Sequence, residues 1–409
     1  MNWKRKRIYY NMHLYLGLIT GIVVFIVAVT GCCWVFQEEI TELIEGERIV
    51  KAEDLSFLSL TEAEKIGQTV FPDKLIHGIA YRKASEPIEV IFYEAEPEFY
   101  QSVYLNPYSG QILDVKDHRE GFFWFVLKGH LYLWLPPSIG TEIMRYSTMI
   151  FIIMLISGIV LWWPQNKKAR KKRLTFDWKP STQWKRKSFD LHSIVGFYVS
   201  VLALIIAFSG LIMAFNWIYY VTYKAWGGNS APQFIIPANT SYHTTNQNTT
   251  RMDELFPMLA NQYPDYESLE FHLPHTDSSS VYVEVSYQKG VYYNSDYRFY
   301  DQYTLDELES GSIYGSYDKA SLADKVIRMN YDIHVGAIGG IAGKALAFII
   351  SLVIASLPVT GFILWWSRRK KGTPQESKHP AYNQTQQTLN QPPRLITRKR
   401  VAEKDVSTY

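Results

Sequence analysis

The chain is poor in cysteine and lacks the short motifs that identify many redox proteins. Its 409 residues include two cysteines, Cys32 and Cys33, which are adjacent and lie in an apolar stretch. They form neither a CxxC nor a CxxCH motif, so they indicate no disulfide framework and no covalently attached c-type haem. The net charge is only +3, which gives no reason to expect a nucleic acid as a partner.

Charged side chains are missing from four long stretches. No Asp, Glu, Lys or Arg occurs in residues 12–37, 146–163, 193–223 and 345–367. Each stretch is long enough to cross a hydrocarbon core of ~30 Å at ~1.5 Å per residue of helix. The sequence therefore predicts a polytopic membrane protein with four spans, and it excludes a cytosolic enzyme.

The charges beside these stretches predict the orientation. Basic side chains are concentrated at residues 4–7 and 368–371, and residues 164–189 hold ten Lys and Arg against one Asp. Acidic side chains predominate in residues 37–129, with 18 acidic and nine basic, and in residues 218–333, with 15 and seven. Because basic flanks stay in the cytoplasm, both termini are predicted inside and both acidic segments outside.

These patterns divide the chain into nine segments. The predicted order is a basic cytoplasmic head (1–11), span 1 (12–36), a first extracytoplasmic α+β module (37–141), span 2 (142–164), a basic cytoplasmic loop (165–189), span 3 (190–217), a second extracytoplasmic α+β module (218–338), span 4 (339–367) and a cytoplasmic tail (368–409). The tail is rich in Gln, Asn, Pro and Thr without apolar periodicity, so it is predicted to be disordered. Cleavage of a lipoprotein signal before Cys32 is the alternative for span 1, and the length of the apolar run disfavours it.

Both outer segments show the same order of helical and strand-like patterns. The first has helical spacing at 60–71, then strands separated by turn signals, including Asn106 to Gly110. The predicted strands are 76–83, 88–95, 101–107 and 111–115 in the first segment; the second has a helix at 252–263 and strands at 268–274, 281–288 and 297–308. Each segment is therefore predicted to be a helix with a small antiparallel sheet.

The spans repeat, and the repeat is centred on histidine. Spans 1 and 3 each begin with a histidine that is followed by glycines 4 and 18 residues later: His13, Gly17 and Gly31, and His192, Gly196 and Gly210. His130 and His334 precede spans 2 and 4, which end in SGIVLWW and TGFILWW. The chain is thus predicted to be a four-span bundle built by tandem duplication, with parallel repeats.

The four histidines are candidate metal ligands. A single histidine at a span end is often only an interfacial residue, but one beside each span, in a repeat, favours a functional site. His13 and His192 are predicted near the cytoplasmic face, and His130 and His334 near the outer face. Two layers of two imidazoles suit two six-coordinate haems that are not covalently attached. The glycines, for which close helix packing is the simpler explanation, would then face the haems.

Three segments carry a resemblance to a known family. They are VYLNPYSGQILDV (103–115), IHVGAIGGIAGK (333–344) and the (S/T)GxxLWW ends of the even-numbered spans. Together with the span-module-span layout, they resemble the PepSY-associated transmembrane family over residues 1 to about 371. This family includes bacterial inner-membrane iron-regulated proteins and ferric-siderophore reductases. The resemblance implies two b-type haems (heme b) whose ligands are His13, His130, His192 and His334, and two PepSY-like outer modules.

The predicted function is transmembrane electron transfer to an extracytoplasmic acceptor. The resemblance suggests that this acceptor is a ferric siderophore. The protein would then be a ferric-siderophore reductase-like haem oxidoreductase of the bacterial inner membrane. The electron donor is unknown, since neither basic segment contains GxGxxG or a flavin-binding pattern. Two alternatives stay open. One is a non-catalytic membrane protein whose modules bind a peptide, a protease or an envelope partner, and the other is a siderophore permease.

Several polar residues of the outer segments are further candidates. Lys128, Arg145, Arg328 and Lys344 flank the outer histidines and could bind haem propionates or an anionic substrate. The tyrosines at 292, 293, 297 and 300 could stack on an aromatic chelate or cover the membrane surface. His243, His272 and His275 could form a divalent-metal patch, although solvated loop residues are the simpler interpretation.

Overall fold

The computed structural model describes residues 3–46, 48–164, 173–241 and 251–369. Within these residues, four helices are long and apolar enough to cross a membrane. The predicted disordered tail from residue 370, the loop residues 165–172 and His243 lie outside the described ranges.

The described helices follow one another in the order of the predicted segments. They are α1 (Trp3–Val35), α2 (Gln37–Glu45), α3 (Leu60–Val70), α4 (Gly121–Tyr132), α5 (Pro137–Trp162), α6 (Trp184–Asp190), α7 (Gly196–Ala214), α8 (Asn216–Ala225), α9 (Leu255–Gln262), α10 (Leu322–Arg328), α11 (Asn330–Val335) and α12 (Gly340–Arg369). A π-helical turn, Leu191–Val195, joins α6 to α7. The helix α1 is span 1, α5 is span 2, α6 to α7 is span 3, and α12 is span 4.

The spans pack through small and branched side chains at their centres. Their buried cluster contains Val24, Ala28, Phe151, Leu155, Ala203, Ala207, Ile350, Ile354 and Ala355. Alanine lets the helix backbones approach closely, which is how helices associate in lipid, where no hydrophobic effect draws them together. Cys32 belongs to α1, is buried, and donates its Sγ–H to the carbonyl of Phe348 at 3.5 Å.

The outer segments join into one antiparallel sheet of eight described strands. These are β1 (Ile76–Tyr81), β2 (Ile88–Glu94), β3 (Phe99–Leu105), β4 (Ile112–Asp117), β5 (Ser268–His272), β6 (Val281–Ser286), β7 (Asp296–Tyr300) and β8 (Glu307–Leu308). Their order is β4-β3-β2-β1-β5-β6-β7-β8, so the modules meet where β1 pairs with β5. The sequence patterns predict two separate modules, whereas the structure joins them into one sheet. Their union satisfies the backbone groups of two strands that would otherwise be open edges.

One face of this sheet is apolar and the other is polar. The apolar face packs against α3 and α9, with Ile79, Phe92, Phe271 and Val283 fully buried. The helix α3 begins at a capping box in which Ser59 and Glu62 satisfy each other's backbone amides. The elements largely coincide with the predicted helices and strands, whereas α2, α4, α8, α10 and α11 were not anticipated.

Candidate functional site

The four candidate histidines meet in two pairs. The ring centroids of His13 and His192 lie 6.2 Å apart, with the ring planes at 80°. Those of His130 and His334 also lie 6.2 Å apart, at 64°. The structure thus brings together the pairs that the repeat predicts. The ligand role itself stays a prediction.

The pairs lie at different depths of the bundle. His13 and Gly31 are on the same helix, α1, and the ring of His130 lies against Gly31. The 18 residues between them correspond to about 27 Å of helix rise. The same spacing separates His192 from Gly210, which contacts His334. The two layers therefore stand close to the opposite faces of a ~30 Å hydrocarbon core, with the apolar cluster of the spans between them.

Each imidazole is held by a neighbouring span through its Nδ1 atom. His13 Nδ1 lies 3.1 Å from the carbonyl of Met154 and 2.9 Å from the hydroxyl of Ser157, both on α5. The other three histidines make equivalent contacts: His130 with Val27 and Thr30, His192 with Leu357 and Thr360, and His334 with Ile206 and Ser209. All four rings thus follow one pattern, a carbonyl and a hydroxyl three residues later.

This pattern determines where the ring proton is. The Ser157 hydroxyl donates to the Met154 carbonyl at 2.9 Å, so its oxygen accepts from His13. A carbonyl can only accept, and Nδ1 must therefore carry the hydrogen. In a neutral ring, the lone pair then resides on Nε2. A histidine that binds a metal needs this arrangement, because a bond from the second nitrogen fixes the ring and its tautomer.

A glycine follows each of these hydroxyl residues and makes room for the ring. A Cβ on Gly31 would come within 3.3 Å of His130 Cε1, and one on Gly210 within 3.1 Å of His334 Cε1. Gly158 and Gly361, which the sequence analysis did not select as haem-facing residues, hold the same relation to His13 and His192, at 3.3 and 3.4 Å. The other two candidates face different groups. Gly17 faces Met154 Cε at 3.2 Å, and Gly196 faces Leu357 Cδ2 at 3.4 Å.

The hydroxyl residues and the glycines Gly158 and Gly361, which were not among the candidates from the sequence, carry a weak sequence signal. Every span contains a hydroxyl residue followed by glycine: Thr30 and Gly31, Ser157 and Gly158, Ser209 and Gly210, and Thr360 and Gly361. Span 1 also contains Thr20 and Gly21, so the pair alone does not identify the contact. The histidine that each hydroxyl residue contacts is at least 100 positions away in the sequence.

The backbone near two of the histidines departs from regular α-helix. His192 lies in the π-helical turn between α6 and α7, a feature that is frequent at functional sites. Just before it, Asp190 is buried and accepts hydrogen bonds from Trp178 Nε1 at 3.1 Å and Arg186 Nε at 2.9 Å. His334 lies near the end of α11, which stops at Gly336 in the left-handed region.

A cavity of about 770 Å³ is lined by residues that are close in the chain to His334 and to the glycine it contacts. Its lining includes Ile212, two residues after the glycine that contacts His334, and Asn330, which donates to the carbonyl of Ser209 at 3.0 Å. Tyr292 and Tyr297 also line it, as two of the four candidate tyrosines. Tyr300 instead belongs to the sheet core, and Tyr293 contacts the ring of Tyr317.

Of the four candidate cations, Arg328 is the one whose side chain lines this cavity. Lys344 pairs with Glu38 and Glu39 at 3.2 and 2.8 Å, and Arg145 pairs with Glu142. The ammonium group of Lys128 lies 5.8 Å from the ring centroid of Trp124. Carboxylates therefore compete for both side chains: one is three residues from Arg145, and two are about 300 residues from Lys344.

The guanidinium group of Arg328 is buried, and it lies 5.4 and 5.1 Å from the ring centroids of Tyr297 and Tyr317. It is only 6% exposed and donates to the carbonyls of Ser295 and Gly315. Among the described residues, no carboxylate forms an ion pair with it, and its Nε atom is buried without a hydrogen-bond partner. Burial lowers the pKa of Arg328 below its ordinary value. A buried cation without a counter-charge is costly, and an anion in the cavity would offset that cost.

A family profile described as PepSY-associated TM region matches residues 10–368. The chain belongs to the PepSY-associated transmembrane family. Its four apolar helices make it a multi-pass membrane protein. No curated protein gave a significant match.

The histidine pairs of this PepSY-associated protein have the dimensions of a bis-imidazole haem site. A metal–nitrogen bond is roughly 2 Å long, and the ring centroid lies about 1.1 Å behind the nitrogen. Two imidazoles on opposite sides of one iron atom should therefore have centroids about 6.2 Å apart. Both pairs show this separation. With Nδ1 bonded and Nε2 free, His13, His192, His130 and His334 fit such a cofactor.

Proposed function

We propose that the protein holds two b-type haems, one at each histidine pair, and transfers electrons across the membrane to an extracytoplasmic ferric siderophore. One observation carries this proposal. Two separate pairs of imidazoles share the spacing of a bis-histidine iron site, and each ring is held through Nδ1. A bound b-type haem would supply one-electron chemistry at each layer.

The chain's own residues provide the environment for this chemistry. The hydroxyl and carbonyl pairs fix the tautomer and the orientation of each imidazole, as Ser157 and Met154 do for His13. Two protein ligands per site leave no open coordination position, which suits electron transfer better than reaction with dioxygen. The apolar cluster of the spans excludes water between the layers, so protons and ions would not follow the electrons.

The direction of transfer follows from the proposed orientation. The basic flanks favour the bacterial inner membrane as the location, with both termini in the cytoplasm. The His13 and His192 pair would then receive electrons from a cytoplasmic or membrane donor, and the His130 and His334 pair would deliver them outside. The strand order, symmetric about the junction of β1 and β5, supports the tandem duplication that places one pair near each face.

The outer cavity is the proposed acceptor site. Its lining includes Asn330, four residues before His334, and presents Arg328 with the phenol rings of Tyr292 and Tyr297. An anionic ferric chelate would compensate the arginine, and its planar groups could stack on the tyrosines. Reduction would release the metal, because Fe²⁺ binds hard oxygen donors less tightly than Fe³⁺.

Proteoliposomes would test the proposal directly. A reductant enclosed with the cytoplasmic side should reduce an external ferric siderophore, followed with a dye specific for Fe²⁺. His334→Ala should abolish external reduction while the inner site is still reduced in the visible spectrum. His118→Ala is the matched control, since this outer histidine bonds to Ser102 and belongs to neither pair.

Three results would contradict the proposal. External reduction at the normal rate in His334→Ala would disprove the electron path. A purified protein without haem would favour the alternative of modules that bind a peptide or an envelope partner. Uptake of intact ferric siderophore into the vesicles without reduction would favour a permease.

A further inference from the structure

Three potential metal ligands converge at the junction between the two halves of the outer sheet. They are His77 on β1 and Glu270 and His272 on β5, and their ligand atoms all lie within 4.8 Å of one another. The ring centroids of His77 and His272 are 4.9 Å apart. The cluster is outside the spans and involves none of the four histidines of the proposed haem sites.

A β-bulge brings His77 to this cluster. In the pairing of β1 with β2, Ile76 is opposite Phe92 and Gly78 is opposite Ile91, so His77 is the extra residue. Without the bulge, alternation would place His77 on the same face as Ile79, which is in the core. The bulge turns its side chain to the polar face instead, where Glu270 and His272 lie. Bulges commonly re-aim side chains near functional sites.

The adjacent glycine leaves space for the carboxylate. A Cβ on Gly78 would lie 3.1 Å from Glu270 Oε1 and 3.4 Å from His272 Cε1. Any larger side chain at this position would crowd the two ligands. The bulge at His77 and the missing side chain at Gly78 therefore allow the donor groups of His77, Glu270 and His272 to lie close together.

His272 is oriented with its free nitrogen toward the carboxylate. Its ring is buried and stacks on Tyr282, with centroids 3.8 Å apart. Its Nδ1 atom donates to the carbonyl of His77 at 3.0 Å, while Nε2 lies 3.1 Å from Glu270 Oε1. In a neutral ring, this contact would set a lone pair against a carboxylate oxygen. A metal cation between Nε2 and Oε1 would bind both atoms.

A cavity of about 330 Å³ gives access to these groups. Both His77 and His272 line it, as does His275. The cavity thus offers a route for a hydrated ion and space for the exogenous ligands that would complete its coordination.

We propose that His77, Glu270 and His272 bind one divalent transition-metal ion, of the class of Fe²⁺, Co²⁺ or Zn²⁺. Two imidazoles and one carboxylate form the donor set that these ions prefer, whereas Ca²⁺ and Mg²⁺ require oxygen donors. Because His77 comes from the first half of the sheet and the other ligands from the second, the ion would link the two halves. The site does not depend on the proposed electron transfer.

Zinc binding to the full-length protein, stripped with a chelator, is the test. Calorimetry should show about one tight site per chain, and X-ray absorption should show imidazole nitrogen together with oxygen. His77→Gln and Glu270→Gln should each weaken binding more than tenfold. His118→Gln, which changes an outer histidine away from the cluster, should leave the affinity unchanged. His77 is exposed, so its replacement should not disturb folding, which circular dichroism would verify.

A thermal melt gives a second measurement of the same site. Zinc at about 100 times its dissociation constant should raise the melting temperature of the outer sheet by a few degrees, and His77→Gln should remove this shift. Equal zinc affinity in wild type and both ligand variants would overturn the proposal. So would a calcium affinity that matches the zinc affinity, or a loss of binding in His118→Gln.

Discussion

Bulky substitutions of the glycines beneath the histidine rings should each remove one haem and leave the other. Gly31 supports His130, and Gly158 supports His13. Alanine at Gly31 would place Cβ 3.3 Å from His130 Cε1, slightly closer than the usual contact of about 3.5 Å. A ring shift of a few tenths of an ångström would relieve this, so Gly31→Ala should retain both haems.

Leucine at Gly31 would displace the imidazole of His130 much further than alanine. Its terminal carbons reach about 2.5 Å beyond Cβ, so the imidazole would have to retreat by roughly that distance. The metal–nitrogen bond is only about 2 Å long, and the retreat would therefore break it. Gly31→Leu should lower the haem content from two to about one per chain and remove the outer site.

Gly158→Leu is the matched variant, because it should remove the inner site instead. Haem content can be measured as the pyridine haemochrome, and a redox titration distinguishes the two sites by their midpoint potentials. Each variant should retain a different component of the titration. If both variants lost the same component, or lost both, general disruption of span packing would explain the result and the layered assignment would be wrong.

Three further predictions concern the outer segments. Arg328→Gln should raise the KM for an anionic ferric chelate about tenfold and leave haem content unchanged, measured by steady-state reduction. Gly67→Ala should lower the unfolding free energy by about 1–3 kcal/mol in a thermal melt, because its Cβ would lie 2.7 Å from Val90 Cγ1. Burial raises the pKa of Asp301, but hydrogen bonds from Ser241 and nearby backbone amides outweigh this and hold the pKa well below its ordinary value. Its contribution to stability should therefore be complete above pH ~4 and be lost as the pH falls further, and Asp301→Asn should flatten this decline.

The sequence predicted those features that depend on local composition or on the repeat. Charge-free stretches reveal spans because an unpaired charge is expensive in lipid. Alternating apolar residues in 76–83 and 268–274 predicted β1 and β5, since one face of each strand is buried. The pairing of His13 with His192 was predicted because both open odd-numbered spans at the same position of the repeat.

Other features depend on contacts that local patterns do not encode. The junction of β1 with β5 uses backbone hydrogen bonds, which any non-proline side chain permits. The carbonyl and hydroxyl that hold His13 come from residues more than 140 positions away. Lys344 was predicted to bind a haem propionate or an anionic substrate, but it pairs with Glu38 and Glu39 of α2, which precede it by about 300 residues.

The metal cluster of the outer sheet also depends on contacts that local sequence patterns do not encode. Regular alternation along the strand would place His77 on the same face as the core residues Ile79 and Tyr81, so its sequence position predicts a buried side chain. The bulge after Ile76 reverses that direction, and only the pairing with β2 reveals it. His272 was considered for a metal patch with His243 and His275, whereas the described partners closest to it are His77 and Glu270.

The number of haems in the purified protein tests the central claim most directly. The protein should be produced with sufficient haem, and its oxidised and dithionite-reduced visible spectra recorded against its measured concentration. The account predicts two b-type haems per chain, with one lost in His13→Ala and the other lost in His334→Ala. A protein without haem, or a single haem that depends equally on His13 and His334, would contradict it.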